Sequence, residues 1–333
     1  MVKMNTHSQP IDVGLNVTRR CNLRCSFCFY GDLHFQPDGT PSPESPSIDL
    51  PLELAFQRLS QITIADIYLC GGEPLTYPHL RELVEWLSPR SRSIRVATNG
   101  LLLTDEWLDF FRVQDIYLLM SVKNAGMSEY QKILRAKDAG VKTHVYHVLN
   151  GESVPVLRTM AERYAWTDRV RLLYGTPSDS NSMNMVGAHE WFGLLTLACD
   201  YLKNIGDKVD IEIGFAPATH PIASSPRRGA VKRFYMDIDT RVYPCPLLVE
   251  RADGTNGLTP RDCDIDNECP ALSKKMPTPS FLTQICPFVL AGLHDVQKWL
   301  ADMERATRGA SHHSGEILRL RTHSAQQRHQ RGQ

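Results

Sequence analysis

The sequence predicts an α/β fold organised on a parallel sheet that is curved or closed. Strand-like and helix-like runs alternate six times between residues 12 and 204, the pattern of repeated βα units. A chain of 333 residues can bury a large core, as one elaborated domain or as one large and one small. A cysteine-rich loop hangs from the end of the first strand-like run, and open βα architectures place ligands at the strands' C-terminal ends.

The elements follow in order. The first strand is read over 12–18, where Val13, Leu15 and Val17 share one face. Further strands are read over 66–70, 93–98, 115–122, 141–149 and 169–174. Helices are read near 52–64, 78–88, 104–112, 128–139, 153–165 and 188–204. Thr104, followed by Asp105 and Glu106, opens one helix with a capping hydroxyl and early acids, and Ser128 can cap the next. Segment 31–51 is rich in Pro, Ser and Asp and leaves from the cysteine side, so it reads either as a lid over the site or as a passive insertion. From residue 305 the chain carries many Arg, His, Ser and Gln, the composition of a disordered basic tail.

Charge and composition exclude some classes. The 37 basic and 37 acidic residues balance, so no global field argues for nucleic acid. Residues 1–10 are polar and show no signal-peptide pattern, and no apolar run is long enough to span a bilayer. A cytoplasmic protein with no membrane partner is therefore expected. Its nine cysteines read as metal ligands and buried thiols rather than disulfides. Cys70 and Cys199 fall in apolar runs and read as small packed hydrophobes, and His144 and His147, at strand spacing, read as core or surface residues.

The chemistry concentrates first in VTRRCNLRCSFCFYGD, where Cys21, Cys25 and Cys28 are separated by three residues and then two. One tight loop can place three sulfurs around one metal centre. A structural zinc site closes its shell with four protein ligands, and a site that must bind substrate keeps a position open. Three ligands, with no further cysteine until Cys70, suggest an iron–sulfur cluster with one exposed iron. A zinc loop completed by a distant His or Cys is the alternative. Gly71-Gly72-Glu73-Pro74 follows the second strand: two residues without a Cβ, a carboxylate able to accept charge-assisted hydrogen bonds, and a proline that fixes the turn.

These motifs resemble the radical S-adenosylmethionine (SAM) superfamily. Its signature is C-x3-C-x2-C with an aromatic before the third cysteine, where this chain has Phe27. Gly71–Pro74 resembles the family's G-G-E-P motif, and Thr98-Asn99-Gly100 resembles its T-N-G strand end. The resemblance implies a partial (βα)6 TIM-like barrel over 12–215, after a tail at 1–11. It implies a 4Fe–4S cluster on Cys21, Cys25 and Cys28 and a SAM site that includes Gly71, Gly72, Glu73, Pro74 and Asn99, with the G-G-E-P turn on the methionine amino group. Ser121 and Lys123 stand where related enzymes commonly carry Ser-x-Asp, and the lysine resembles the D-x-K ending of glycyl-radical activating enzymes. Lys123 can pair with the methionine carboxylate or be a surface lysine. Tyr30 can contact adenine or pack as an ordinary aromatic.

A second constellation lies beyond residue 240. Cys245, Cys263, Cys269 and Cys286 form a complete four-thiolate set, and three of them precede proline. A strand pair at 233–238 and 241–243 leads into V-Y-P-C-P, and the region resembles the SPASM/twitch extensions of radical SAM enzymes. The further upstream cysteine often seen in that family is missing from 224–229, so one auxiliary 4Fe–4S cluster is expected over 216–304, with zinc as the competitor. The remaining 305–333 is the basic tail.

The resemblance implies reductive cleavage of SAM to a 5′-deoxyadenosyl radical and hydrogen abstraction from a substrate, in peptide or natural-product modification. The alternative substrate class is a small molecule such as an amino acid or amino sugar. The alternative of another class is a non-catalytic metal-binding protein on the same barrel. An external reductant such as flavodoxin or ferredoxin is implied. About ten residues precede the first strand, so a leader-binding domain is expected to be a separate protein.

Overall fold

The computed structural model describes residues 10–28, 48–167, 169–174, 193–194, 197–198, 200–202, 209–212, 232–240 and 242–243. Strands β1 (Ile11–Thr18), β2 (Ile64–Gly71), β3 (Ser93–Thr98), β4 (Tyr117–Ser121), β5 (Lys142–Leu149) and β6 (Val170–Tyr174) alternate with helices α1 (Leu52–Leu59), α2 (Leu80–Leu87), α3 (Asp105–Val113), α4 (Met127–Asp138) and α5 (Ser153–Arg163). A short 3-10 turn, Pro74–Thr76, precedes α2. Three further strands follow: β7 (Val209–Glu212), β8 (Lys232–Met236) and β9 (Val242–Tyr243).

All nine form one sheet in the order β7-β6-β5-β4-β3-β2-β1-β8-β9. Every neighbouring pair is parallel except the terminal β8–β9 hairpin. This is the partial TIM-like barrel expected from the sequence. The sheet exceeds the expected six strands at both ends. β7 continues it past β6, and β8 returns to lie beside β1, with Leu15 opposite Met236. The expected strand pair is present as β8 and β9, and its first strand is an integral part of the barrel sheet.

Local chemistry sets the helix ends. The Thr104 hydroxyl accepts from the backbone N–H of Trp107 and starts α3, with Asp105 and Glu106 in the first turn and Arg112 in the last. Helix α4 is capped at Gly126 and starts at Met127, two residues earlier than a Ser128 cap would place it. Helix α1 stops at Leu59, short of the expected 64, because Ile64 already enters β2. Asp115 takes a left-handed φ of 56° and delays β4 until Tyr117. Residues 193, 194, 197, 198, 200 and 201 are helical and fall within the helix expected over 188–204.

One face of the sheet packs on the helices. Val13, Leu15 and Val17 are buried there, joined by Leu83, Val84 and Leu87 of α2, Phe111 of α3, Ile133 of α4 and Leu157 and Met160 of α5. Each such side chain contributes roughly 1.5–3 kcal/mol by leaving water. The other face lines the barrel and is polar toward the strands' N-terminal ends. Asp66 accepts from Arg92 Nε at 2.9 Å, Ser93 Oγ at 3.0 Å and Arg95 Nη1 at 3.2 Å. Burial works to raise its pKa, but the two arginines and the serine hold it well below the carboxylate range. Arg95 lies 4.7 Å from the Tyr68 ring centre and Arg171 5.6 Å from it, so the barrel floor is filled by arginine–aromatic packing. No helix among the described residues is long and apolar enough to cross a membrane.

Two histidines are held neutral by this packing. His144, buried and flanked by Arg171, Arg95 and Arg169, is pushed down to about 3. His147 is pushed down to about 4 by burial, although it bonds the Val122 carbonyl through Nδ1 at 2.7 Å and the Ser153 hydroxyl through Nε2 at 2.8 Å. Both values lie below the unfolded value near 6.5, so between pH 6.5 and 4 the unfolded chain takes up protons that the folded chain refuses. Stability should therefore fall as pH drops through that window, by about 2 kcal/mol for each histidine at pH 5. Urea midpoints at pH 7 and pH 5 measure this, and His147→Asn should flatten the slope; an unchanged midpoint at pH 5 would contradict it.

Candidate active site at the C-terminal ends of the strands

The cysteine loop is held at its stem. After β1, the backbone N–H of Gly72 donates to Thr18 O at 2.8 Å and that of Glu73 donates to Arg20 O at 2.7 Å. The Thr76 hydroxyl also reaches Arg20 O at 3.2 Å. Arg20 forks onto both oxygens of Asp49 at 3.1 and 3.0 Å, and the Thr18 hydroxyl donates to the same carboxylate at 2.7 Å. On the far side, Arg19 Nη2 meets Asp237 Oδ2 at 3.0 Å. The loop then turns tightly, with Cys28 N–H on Cys25 O at 3.0 Å and Leu23 N–H directed at Cys21 Sγ at 3.4 Å. All three cysteines are half-buried.

This contact explains the two glycines. A Cβ on Gly72 would lie 2.1 Å from Arg20 O, and one on Gly71, whose φ is +135°, would lie 2.3 Å from both Thr18 O and the Asn16 amide oxygen. The glycines admit the neighbouring backbone of the cysteine-loop stem, where the sequence suggested that they admit a ligand.

Glu73 is nearly inaccessible, at 1% exposure. Its carboxylate accepts from the Thr98 hydroxyl at 2.7 Å, Asn99 N–H at 2.8 Å and Leu75 N–H at 3.2 Å. Burial pushes its pKa up, against the pull of those three donors and of Lys123. Glu73 thus ties the end of β2 to the end of β3. Asn99 passes the connection on, its amide donating to the Asn22 side chain inside the cysteine loop at 2.8 Å. Pro74 starts the 3-10 turn that follows.

At the end of β4, Lys123 Nζ donates to Ser121 Oγ at 2.6 Å. The lysine's loop is capped by Glu129, whose carboxylate accepts the backbone N–H groups of Lys123, Asn124 and Ala125 at 2.9, 3.3 and 2.8 Å. Arg163 holds Ala125 O from below, and His147 holds Val122 O. The charge of Lys123 reaches the loop. Burial raises the Cys21 and Cys25 thiols, and Lys123 works against that rise at both, while Glu129 adds to it at Cys25. Burial pushes the Tyr146 phenol well above its ordinary value. Glu73, Cys25 and Cys70 add to that rise, and a hydrogen bond to Ser121 opposes it.

Cys21, Cys25, Gly71, Gly72, Glu73, Asn99, Ser121 and Lys123 are therefore joined through hydrogen bonds or through the shared field of Lys123 and Glu73. Cys28 belongs to the same loop. Cys70 points elsewhere: its sulfur lies 3.4 Å from Leu15 O, and burial pushes its thiol up to about 12. Tyr30, most of the 31–51 segment, Cys199, and Cys245, Cys263, Cys269 and Cys286 lie outside the described residues. Sequence reasoning missed Glu129, Tyr146 and Asp237. The acid in the first turn of α4 was a usable signal for Glu129, and strand alternation from His144 was one for Tyr146.

The donor set fits a cluster. Among the described residues no three His, Cys, Asp or Glu side chains converge as they would on a single ion. A 4Fe–4S cluster gives each thiolate its own iron, so soft sulfurs spread along one loop suit it better than they suit a single ion. The Cys21–Cys28 loop offers three such sulfurs, in the field of Lys123 at Cys21 and Cys25.

Comparison with known proteins agrees. Residues 15–163 match the radical SAM superfamily. The sporulation killing factor maturation protein SkfB of Bacillus subtilis is 30% identical over 164 residues, covering 48% of this chain and 38% of SkfB. The tungsten-containing aldehyde ferredoxin oxidoreductase cofactor-modifying protein of Pyrococcus furiosus is 34% identical over 209 residues, covering 62% of this chain and 51% of that protein. The chain thus spans about half or less of the length of these two relatives. Streptococcus suis SuiB bound to its precursor peptide SuiA superposes with a TM-score of 0.53 at 13% identity, covering 74% of this chain and 62% of SuiB, which shows a shared fold. The part of the chain that matches the radical SAM superfamily, residues 15–163, holds the cysteine loop, the Gly71–Pro74 turn and strands β2 to β5 of the partial barrel.

Proposed function

We propose that this protein binds a 4Fe–4S cluster through Cys21, Cys25 and Cys28, cleaves SAM reductively, and abstracts hydrogen from a substrate in peptide or natural-product modification. The observation that carries this reading is the clamp of the Gly71–Glu73 backbone onto Thr18 and Arg20, which fixes a three-cysteine loop against the ends of β2 and β3. The bound cluster and SAM supply the 5′-deoxyadenosyl radical chemistry. The chain supplies orientation. The Glu73 carboxylate already accepts from three internal donors, two on Oε1 and one on Oε2, so the acceptors this turn offers a ligand ammonium are the remaining Oε2 site and the backbone carbonyls. Lys123 is the point charge for the methionine carboxylate, preset by the Glu129 cap. Ser121, Asn99 and Tyr146 supply hydroxyl and amide groups for the rest of the cofactor, and Tyr30 is proposed for the adenine.

The peptide class is supported by the names of SkfB and SuiB, a maturation protein and an enzyme seen with its precursor peptide. A small-molecule substrate is the second reading, favoured by the cofactor-modifying Pyrococcus relative. Cys245, Cys263, Cys269 and Cys286 are proposed to hold one auxiliary 4Fe–4S cluster, as substrate anchor or electron acceptor. A flavodoxin or ferredoxin is the proposed reductant, and a separate leader-binding protein the proposed peptide carrier.

Anaerobic reconstitution tests all of this. Two 4Fe–4S clusters give about eight irons per chain, and about four would give the C-terminal cysteines to zinc or another role. Dithionite-reduced protein should convert SAM to methionine and 5′-deoxyadenosine. Failure to do so with the cluster loaded would leave a non-catalytic metal protein on this barrel.

A further inference from the structure

Asp237 lies just past the end of β8 and is 1% exposed. It has no place in the chemistry so far. One carboxylate oxygen accepts from Asn16 Nδ2 at 2.6 Å, and the other from Arg19 Nη2 at 3.0 Å. Asn16 is fully buried on β1, and the Arg19 side chain is 14% exposed. Behind the carboxylate, the backbone N–H of Thr240 donates to Asp237 O at 2.8 Å and closes the turn between β8 and β9.

A buried carboxylate is an expensive way to pair two strands, since an apolar residue would do so at no desolvation cost. Backbone pairing already fixes β8 on β1 from Ile11 through Leu15. What the carboxylate adds is direction. Asn16 holds its plane, and its second oxygen then aims at Arg19, two residues ahead of Cys21. Arg20, the next residue, takes the clamp from Glu73 and Thr76 on the opposite side. The stem of the cysteine loop is thus gripped between the Gly71–Thr76 turn and a charge delivered by a strand some two hundred residues further on.

We propose that Asp237 is a positioning residue for the Cys21–Cys28 loop, acting through Arg19 to set how the loop presents its thiolates. This rests on the radical SAM reading given above. Asp237→Asn keeps the shape and removes the charge-assisted bond to Arg19. In reconstituted full-length protein it should retain its iron, weaken the change that SAM makes in the EPR spectrum of the reduced N-terminal cluster, and slow SAM cleavage at least tenfold. Arg19→Gln should do the same, and Asp237→Glu, which keeps the charge, should recover part of the rate. A role in strand pairing alone would lower the urea midpoint and leave the spectrum unmoved. Should D237N fail to fold, the double variant R19Q/D237N, which leaves no buried charge unpaired, decides by the same two readouts. Wild-type protein without a SAM-dependent spectral change overturns both readings. Wild-type protein that shows the change, with D237N or the double variant showing it unaltered and cleaving within twofold, overturns this one alone.

Discussion

Replacing Cys25 with alanine is expected to abolish 5′-deoxyadenosine formation and to halve the iron content, from about eight to about four per chain if the auxiliary cluster is present. The effect should be total because the loop has no ligand in reserve. Two thiolates cannot hold a cluster whose fourth iron is kept for SAM. The next cysteine along the chain is no substitute: Cys70 turns its sulfur toward Leu15 O, and burial pushes its thiol up to about 12, far from a ready thiolate. Cys21→Ala and Cys28→Ala should behave alike. Cleavage retained in any of the three, measured by chromatography after dithionite reduction, would remove the assignment of this loop as the SAM-cluster site.

Gly72→Ala is expected to come second in size. Its Cβ would sit 2.1 Å from Arg20 O, and the turn cannot back away without breaking the two bonds that clamp the loop stem, Gly72 N–H to Thr18 O and Glu73 N–H to Arg20 O. Overpacking of this kind costs roughly 1–3 kcal/mol, and lost hydrogen bonds add to it. The thermal midpoint should fall by several degrees, and SAM cleavage should drop by an order of magnitude or more because the displaced residues lead into Cys21. Gly193→Ala, whose Cβ would meet nothing within 4 Å on a helical stretch, is the control and should leave the rate unchanged and the midpoint unchanged or slightly raised. A Gly72→Ala protein with the parent's midpoint and rate would mean that the stem yields more readily than its hydrogen bonds indicate.

Much of this site is local, and local features were legible. Alternation placed β3 at its observed bounds, Ser93–Thr98, and the C-x3-C-x2-C spacing located the loop at the mouth of the barrel. The purpose of neighbouring residues was less so. Glu73 reads in sequence as a ligand for an ammonium, and its carboxylate also accepts from Thr98, Asn99 and Leu75. Gly71 and Gly72 read as space for a ligand, whereas they make space for backbone. In both cases the competing partner comes from another strand, and no spacing rule reports it. The same holds for β8: its strand pattern is visible, but its choice of β1 as neighbour is a property of the assembled sheet. Lys123 stood out as a departure from the usual motif, while Glu129, which fixes it, looked like any acid in a first helical turn.

The placement of β8 also bears on how the protein is made. Asn16 and Asp237 are 221 residues apart along the chain yet share a hydrogen bond. Chains leave the ribosome N-terminus first, at roughly 5–20 residues per second, so β1 waits on the order of ten to forty seconds for its second neighbour. During that interval β1 can pair with β2, but its other edge is unmet, and the Arg19 side of the loop stem lacks the Asp237 carboxylate. Non-local contacts of this span are also the slow ones in folding. The nascent cysteine loop therefore passes through a stage in which it is anchored on one side only. The arrival of β8 ends that stage.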